Sequence, residues 1–236
     1  MKINARFDAE LKSLQQALVD MMLLGLDGLR AIAGALEEGK VAGVARVGEI
    51  AQEIDRAERN IESLCLRILL TRHPVASDLR RVSGTLKMIT DLQRIGHQCR
   101  DFVDILSADG ENLKTHLVRL SQIADQVVEM FEGAMSACVH GDTVTAREII
   151  RSDNEVDAAY ALLRSSLAEE LRGSSHPNAD RLLDVLMLAK YLERMADHIV
   201  LFARWIIFAA NGERDLAAEE EMQDDLECNA HEEEER

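Results

Sequence analysis

The sequence predicts an all-α fold made of two tandem, similar three-helix bundles of long antiparallel helices. Three observations predict it. Apolar residues recur at spacings of three and four through six segments, each about 30 residues or about 45 Å long. Helix breakers are scarce, with only 2 prolines in 236 residues and 3% aromatics beside abundant Ala, Leu, Glu and Arg. The six segments also fall into two threes whose punctuation repeats in order.

The first segment runs from Asp8 to Glu38 and stops at Gly39, a residue suited to the left-handed cap that ends a helix. The second runs from Ala42 to Thr71 and ends at "HPVASD", where Pro74 cannot continue the hydrogen-bond ladder. The third continues to Ala108 and is broken by "SADGEN". The fourth, Asn112 to His140, stops at "GDT" from Gly141, the fifth ends near Arg172 at "GSSHPN", and the sixth reaches Asn211. Connections this short between helices this long make neighbours antiparallel. Gly39 corresponds to Gly141, His73-Pro74 to His176-Pro177, and "LQRIGH" to "LERMAD", at offsets of 100 to 103 residues. The first repeat is therefore assigned to residues 1–109 and the second to 110–212. An acidic tail, 213–236, is expected to be disordered.

Composition narrows the function. Hydrophobic residues at 47% and charged residues at 30% describe a globular chain with material for a core. The net charge is -16, and 12 acidic residues from Glu213 onward stand against only Arg214 and Arg236. Neither body nor tail is built to neutralise phosphates, so nucleic acid is excluded as a partner. The opening "MKINARFDAEL" has no apolar core of a secretory signal, and no apolar run approaches the roughly 18 to 20 residues of a membrane span. Cys65, Cys99, Cys138 and Cys228 show no CxxC pairing and read as reduced thiols of a cytoplasmic protein. "GALEEGKV" mimics a phosphate-binding loop but has Val41 where Ser or Thr should hold magnesium. No HExxH or GxSxG motif occurs, so the chain is not expected to be an enzyme.

One constellation carries chemistry. The loop between the fifth and sixth segments centres on Ser175, with Asp157 and Glu193 each 18 residues from it and Asp153 and Asp197 each 22 away. In an antiparallel hairpin, equal distances from the turn mean equal heights. Asp153/Asp157 and Glu193/Asp197 are also i,i+4 pairs, so each shares one helix face. Acid pairs at that spacing are commonly just solvated; the matched register is what sets this quartet apart. Four carboxylates at one level repel unless a cation neutralises them, and oxygen ligands select hard ions such as Mg, Mn or iron, with zinc also accepted. The same construction about Pro74 gives Asp55, Ala51, Gln93 and His97, one carboxylate instead of four. A weak cation site on Asp55, His97 and Asp101 is the most the first repeat could offer. His198, about 100° round the helix from Asp197, is expected to flank the second-repeat site.

The doubled three-helix layout, with "LERMADH", "SDNEVD" and "GD", resembles the PhoU family of bacterial phosphate-transport regulators over nearly the whole chain before the tail. Members of that family have a repeated (Glu/Asp)-x3-Asp motif that binds surface metal clusters of iron or zinc. The second repeat matches it twice, at Asp153/Asp157 and Glu193/Asp197. The first departs at Ala51, Gln93 and His97, and Lys40 stands where Asp142 stands in the other half. The resemblance implies a dimeric or larger, cytoplasmic, negative regulator that contacts a phosphate ABC transporter and a sensor histidine kinase, with one metal cluster instead of two. The competing readings are a carboxylate-bridged metalloenzyme on a helical bundle and a metal-free structural scaffold.

Overall fold

The computed structural model describes residues 2–39, 44–109, 116–173 and 179–213; Lys40, Cys228 and the acidic tail beyond residue 213 lie outside them. Six helices follow in order among the described residues: α1 (Lys2–Glu38), α2 (Val47–Arg72), α3 (Ala76–Asp109), α4 (Leu117–His140), α5 (Thr143–Arg172) and α6 (Ala179–Asn211). No described helix is long and apolar enough to cross a membrane.

The stops are those the glycines announce. Gly39 and Gly141 adopt φ of 64° and 66°, and the Gly141 amide donates to the Ala137 carbonyl, closing α4. Asp142 then caps α5, its carboxylate accepting from the Val144 and Thr145 amides and the Thr145 hydroxyl. Two boundaries differ from expectation. α1 starts at Lys2 because Phe7 and Leu11 already pack against the core and carry the apolar stripe back toward the terminus. α2 starts only at Val47, the first residue of that helix with a fully buried side chain.

Side-chain contacts give the helix directions. Glu10, near the start of α1, meets Arg72, the last residue of α2, in a two-bond ion pair of 2.7 Å contacts. Asp55 of α2 meets His97 of α3. These pairs fix antiparallel neighbours within the first repeat. Between repeats, Arg30 of α1 pairs with Glu132 of α4, and α3 runs antiparallel to α6, Gly84 lying by Ala209 and Asp91 by His198. Near one end of that α3–α6 contact a Cβ on Gly84 would stand 3.3 Å from the Ala209 Cβ and 3.5 Å from the Trp205 carbonyl oxygen. The helices therefore touch almost backbone to backbone there.

This last contact refines the picture of two bundles. α3 packs on α6 more extensively than either packs on any other helix, and α1 also lies along α4. α2 touches α1 and α3, while α5 touches α4 and α6, so these two form the flanks. The buried apolar residues form one continuous cluster from Leu14 to Ile207, including Phe102, Phe131 and Phe202. The repeats are similar units fused through a shared core, a single hydrophobic body of α1, α3, α4 and α6 with a helix on either side.

Candidate metal centre

Lys190 of α6 stands 5.6 Å from the centre of the Tyr160 ring of α5, two residues equally far from Ser175, so the hairpin brings equal heights together. Asp153, Glu193 and Asp197 are half-buried and Asp157 is exposed. The charges act on one another across the two helices. Burial first, then Glu193 and Asp153, with a smaller share from Asp157, push the Asp197 carboxyl up to about 8. Burial first, then Asp157 and Glu193, push Asp153 up to about 7. Lys190 and Arg204 oppose these shifts, acting on Asp197 and Asp153 respectively.

Hydrogen bonding is uneven within the quartet. One oxygen of Asp153, Oδ1, is buried with no hydrogen-bond donor. Lys190 Nζ donates to Glu193 Oε1 at 2.8 Å and stands 2.7 Å from Oε2, but Oε2, like Asp153 Oδ1, is buried without a hydrogen bond. No three Asp, Glu, His or Cys side chains among the described residues stand as a finished ligand set. The quartet is a shared negative field with two buried oxygens that lack a hydrogen bond, Asp153 Oδ1 and Glu193 Oε2, and an oxygen-only donor set of this kind fits a hard cation.

The first repeat solves the same problem from within. Asp55 accepts from Gln93 Nε2 at 3.0 Å and sits 2.8 Å from His97 Nε2. Burial would raise its carboxyl, but the His97 and Gln93 hydrogen bonds outweigh it and hold Asp55 below the ordinary range. Ala51, at the fourth position, is 1% exposed and belongs to the core. Asp101 takes no part: its carboxylate accepts from Arg100 at 3.0 and 3.1 Å. The structure thus brings Asp55 and His97 together and leaves Asp101 in a separate ion pair.

Two contacts near the quartet escaped the sequence reading. His198 turns away from the quartet and is buried against α3, with Nδ1 3.2 Å from Asp91 Oδ1. Asp91 is the first residue of the α3 phrase and His198 belongs to the matching phrase of α6, so the pair ties the repeats together where their motifs lie. Only the packing of α3 on α6 could reveal it. The other is Lys190, whose partner Glu193 lies three residues on; that spacing was visible, but an i,i+3 pair is too common to single out.

Comparison with known proteins bears on all of this. The family model of the PhoU domain matches twice, at residues 18–106 and 120–206. A Pseudomonas aeruginosa protein named "Phosphate-specific transport system accessory protein PhoU homolog" is 30% identical, over 89% of this chain and 87% of its own length. A Pseudomonas putida protein of the same name is 29% identical over 89% of this chain and 82% of its own. The crystal structure of PhoU from Pseudomonas aeruginosa superposes with a TM-score of 0.78 at 29% identity, covering 88% of this chain and all of that one. A regulatory PhoU from Streptococcus pneumoniae, at 23% identity and a TM-score of 0.74, shares the fold. With both repeats matched separately and the fold reproduced along the chain, this protein belongs to the PhoU family.

Proposed function

We propose that this protein is a negative regulator of phosphate uptake and phosphate-responsive signalling. It works as a cytoplasmic, homodimeric adaptor between a phosphate ABC transporter and a sensor histidine kinase, with metal bound on its second repeat. The observation that carries the reading is the pair of family matches spanning both repeats, joined to relatives named as accessory proteins of a phosphate-specific transport system. A rigid helical body with a negatively charged face suits docking better than turnover. Supporting the metal is the crowding of Asp153, Asp157, Glu193 and Asp197, which holds two carboxyls far above their usual range. Iron, zinc, Mn or Mg would neutralise that charge and present a positive face to an anionic group.

A carboxylate-bridged metalloenzyme is the weaker reading. Helical sites of that class draw histidines in among their ligands, and the nearest one here, His198, is committed to Asp91.

The adaptor reading is tested in cells lacking the gene. Loss should release phosphate uptake and phosphate-starvation signalling under phosphate excess, and the protein should co-purify with the transporter. Unchanged uptake and signalling would sink it. The metal assignment is tested by elemental analysis of protein purified without chelator. Glu193→Gln with Asp197→Asn should remove most bound metal, and Gln93→Glu with His97→Asp should add capacity. Wild-type metal content in the first double variant would show that the ligands are elsewhere.

A further inference from the structure

The second-repeat quartet already has a cation beside it. Lys190 Nζ donates to Glu193 Oε1 at 2.8 Å and pairs by charge with Oε2 at 2.7 Å, leaving Oε2 without a hydrogen bond, and its ammonium stands 5.6 Å from the centre of the Tyr160 ring on α5. The Glu193 side chain is only 14% exposed and that of Lys190 29%, so water screens this pair poorly. Arg164 lies over the same ring at 5.8 Å, leaving Lys190 between an aromatic face and a carboxylate.

The first repeat lacks the whole arrangement. At the place of Lys190 it has Thr90, whose hydroxyl bonds back to the Leu86 carbonyl; at the place of Glu193 it has the neutral Gln93. Glu58 stands where Tyr160 stands. The tethered cation therefore accompanies the crowded acids and is missing where they are missing.

We infer that Lys190 is a built-in counter-cation that holds Glu193 while the second-repeat site is metal-free, and that its displacement sets the metal affinity of that site. The inference rests on the metal reading of the quartet. A metal ion on Glu193 and an ammonium at 2.7 Å from the same oxygens would repel strongly, so one must leave. Lysine can leave: its charge sits on a flexible four-carbon stem that can swing off the carboxylate toward water, and the Tyr160 ring it already overlies keeps contact with that charge as it moves. Exchange of this kind disfavours singly charged ions, which gain no more from Glu193 than Lys190 already supplies.

The test titrates Zn2+ into the chelator-stripped full chain against a chromophoric competitor, alongside thermal melting of the metal-free form. Lys190→Met should bind Zn2+ about tenfold more tightly than wild type. It should also melt at a lower temperature when metal-free, because only the other acids then face Glu193, with no cation beside it. Lys190→Gln is a second variant with the same expected direction, should the first fold poorly. Unchanged or weaker Zn2+ binding in both variants would overturn the role of Lys190. If Glu193→Gln with Asp197→Asn still abolished binding, the metal site itself would stand. Absence of Zn2+ binding in wild type and both Lys190 variants would overturn the site and the inference together.

Discussion

Buried carboxylates behave according to whichever donor reaches them, and the two matching motifs supply different donors. Asp55 is held ionised by His97 and Gln93, and Asp91 faces His198 in a site where burial raises its carboxyl. Asp153 and Asp197 have no such donor: burial first, then Asp157 and Glu193 beside Asp153 and Glu193 and Asp153 beside Asp197, raise them to about 7 and about 8 against an ordinary 3.8. In chelator-stripped protein the folded state therefore holds protons that the unfolded chain releases. Their contribution to stability is complete at about pH 4 and is lost as pH rises to about 8. The urea midpoint should fall across that window, and Asp197→Asn should remove about half of the slope, Asp153 keeping the rest; a midpoint that rises from pH 5 to 8 would contradict the crowding. For the Asp91–His198 pair, His198→Ala leaves a carboxylate buried without its partner. The expected loss is about 3 kcal/mol in equilibrium unfolding, whereas Asp91→Asn, which keeps a polar partner, should cost about 1 kcal/mol.

At the scale of the helix, the α4–α5 and α2–α3 connections make their left-handed turns with different residues, and the difference is measurable. Gly141 closes α4 in the left-handed region without strain, and Asp142 restarts the chain as α5 within one residue. The α2–α3 connection uses His73 at φ 48° for the same left-handed turn, followed by Pro74, with Ala76 also at positive φ. A side chain in that region costs about 1 to 2 kcal/mol relative to glycine. His73→Gly should therefore stabilise the protein by about 1 kcal/mol, raising the melting temperature, while Gly141→Ala should lower it by a similar energy. A destabilised His73→Gly variant would mean that the imidazole makes a contact worth more than the strain.

For the whole molecule, the decisive fact is that the largest helix–helix interface, α3 on α6, crosses the boundary between repeats. Phe102, Ile95 and Leu92 of α3, and Phe202, Leu192 and Ile199 of α6, are all almost completely buried. An isolated first repeat, residues 1–109, would uncover the α3 face and the side of α1 that packs on α4. Expressed alone it should lose cooperative unfolding and bind a hydrophobic dye. Mixed with residues 110–236 it should recover a single transition, because the two halves complete one core. A cooperative, dye-silent first half would show that the repeats are independent domains.

What the sequence determined by itself was local or periodic: helix number and stops, the doubling, and the heights of Asp153, Asp157, Glu193 and Asp197 in their hairpin. These follow from a fixed rise per residue and a short loop, so counting outward from Ser175 is enough. The loss of carboxylates at Ala51, Gln93 and His97 was legible for the same reason. Tertiary structure alone decided which faces of different hairpins meet. Residue spacing carries no information about the packing of α3 on α6, so neither the fused core nor the Asp91–His198 pair could be counted out. It also decided side-chain direction over short range: Asp101 turning to Arg100 and Lys190 settling on Glu193 are choices among rotamers, made by the charges and surfaces that surround them.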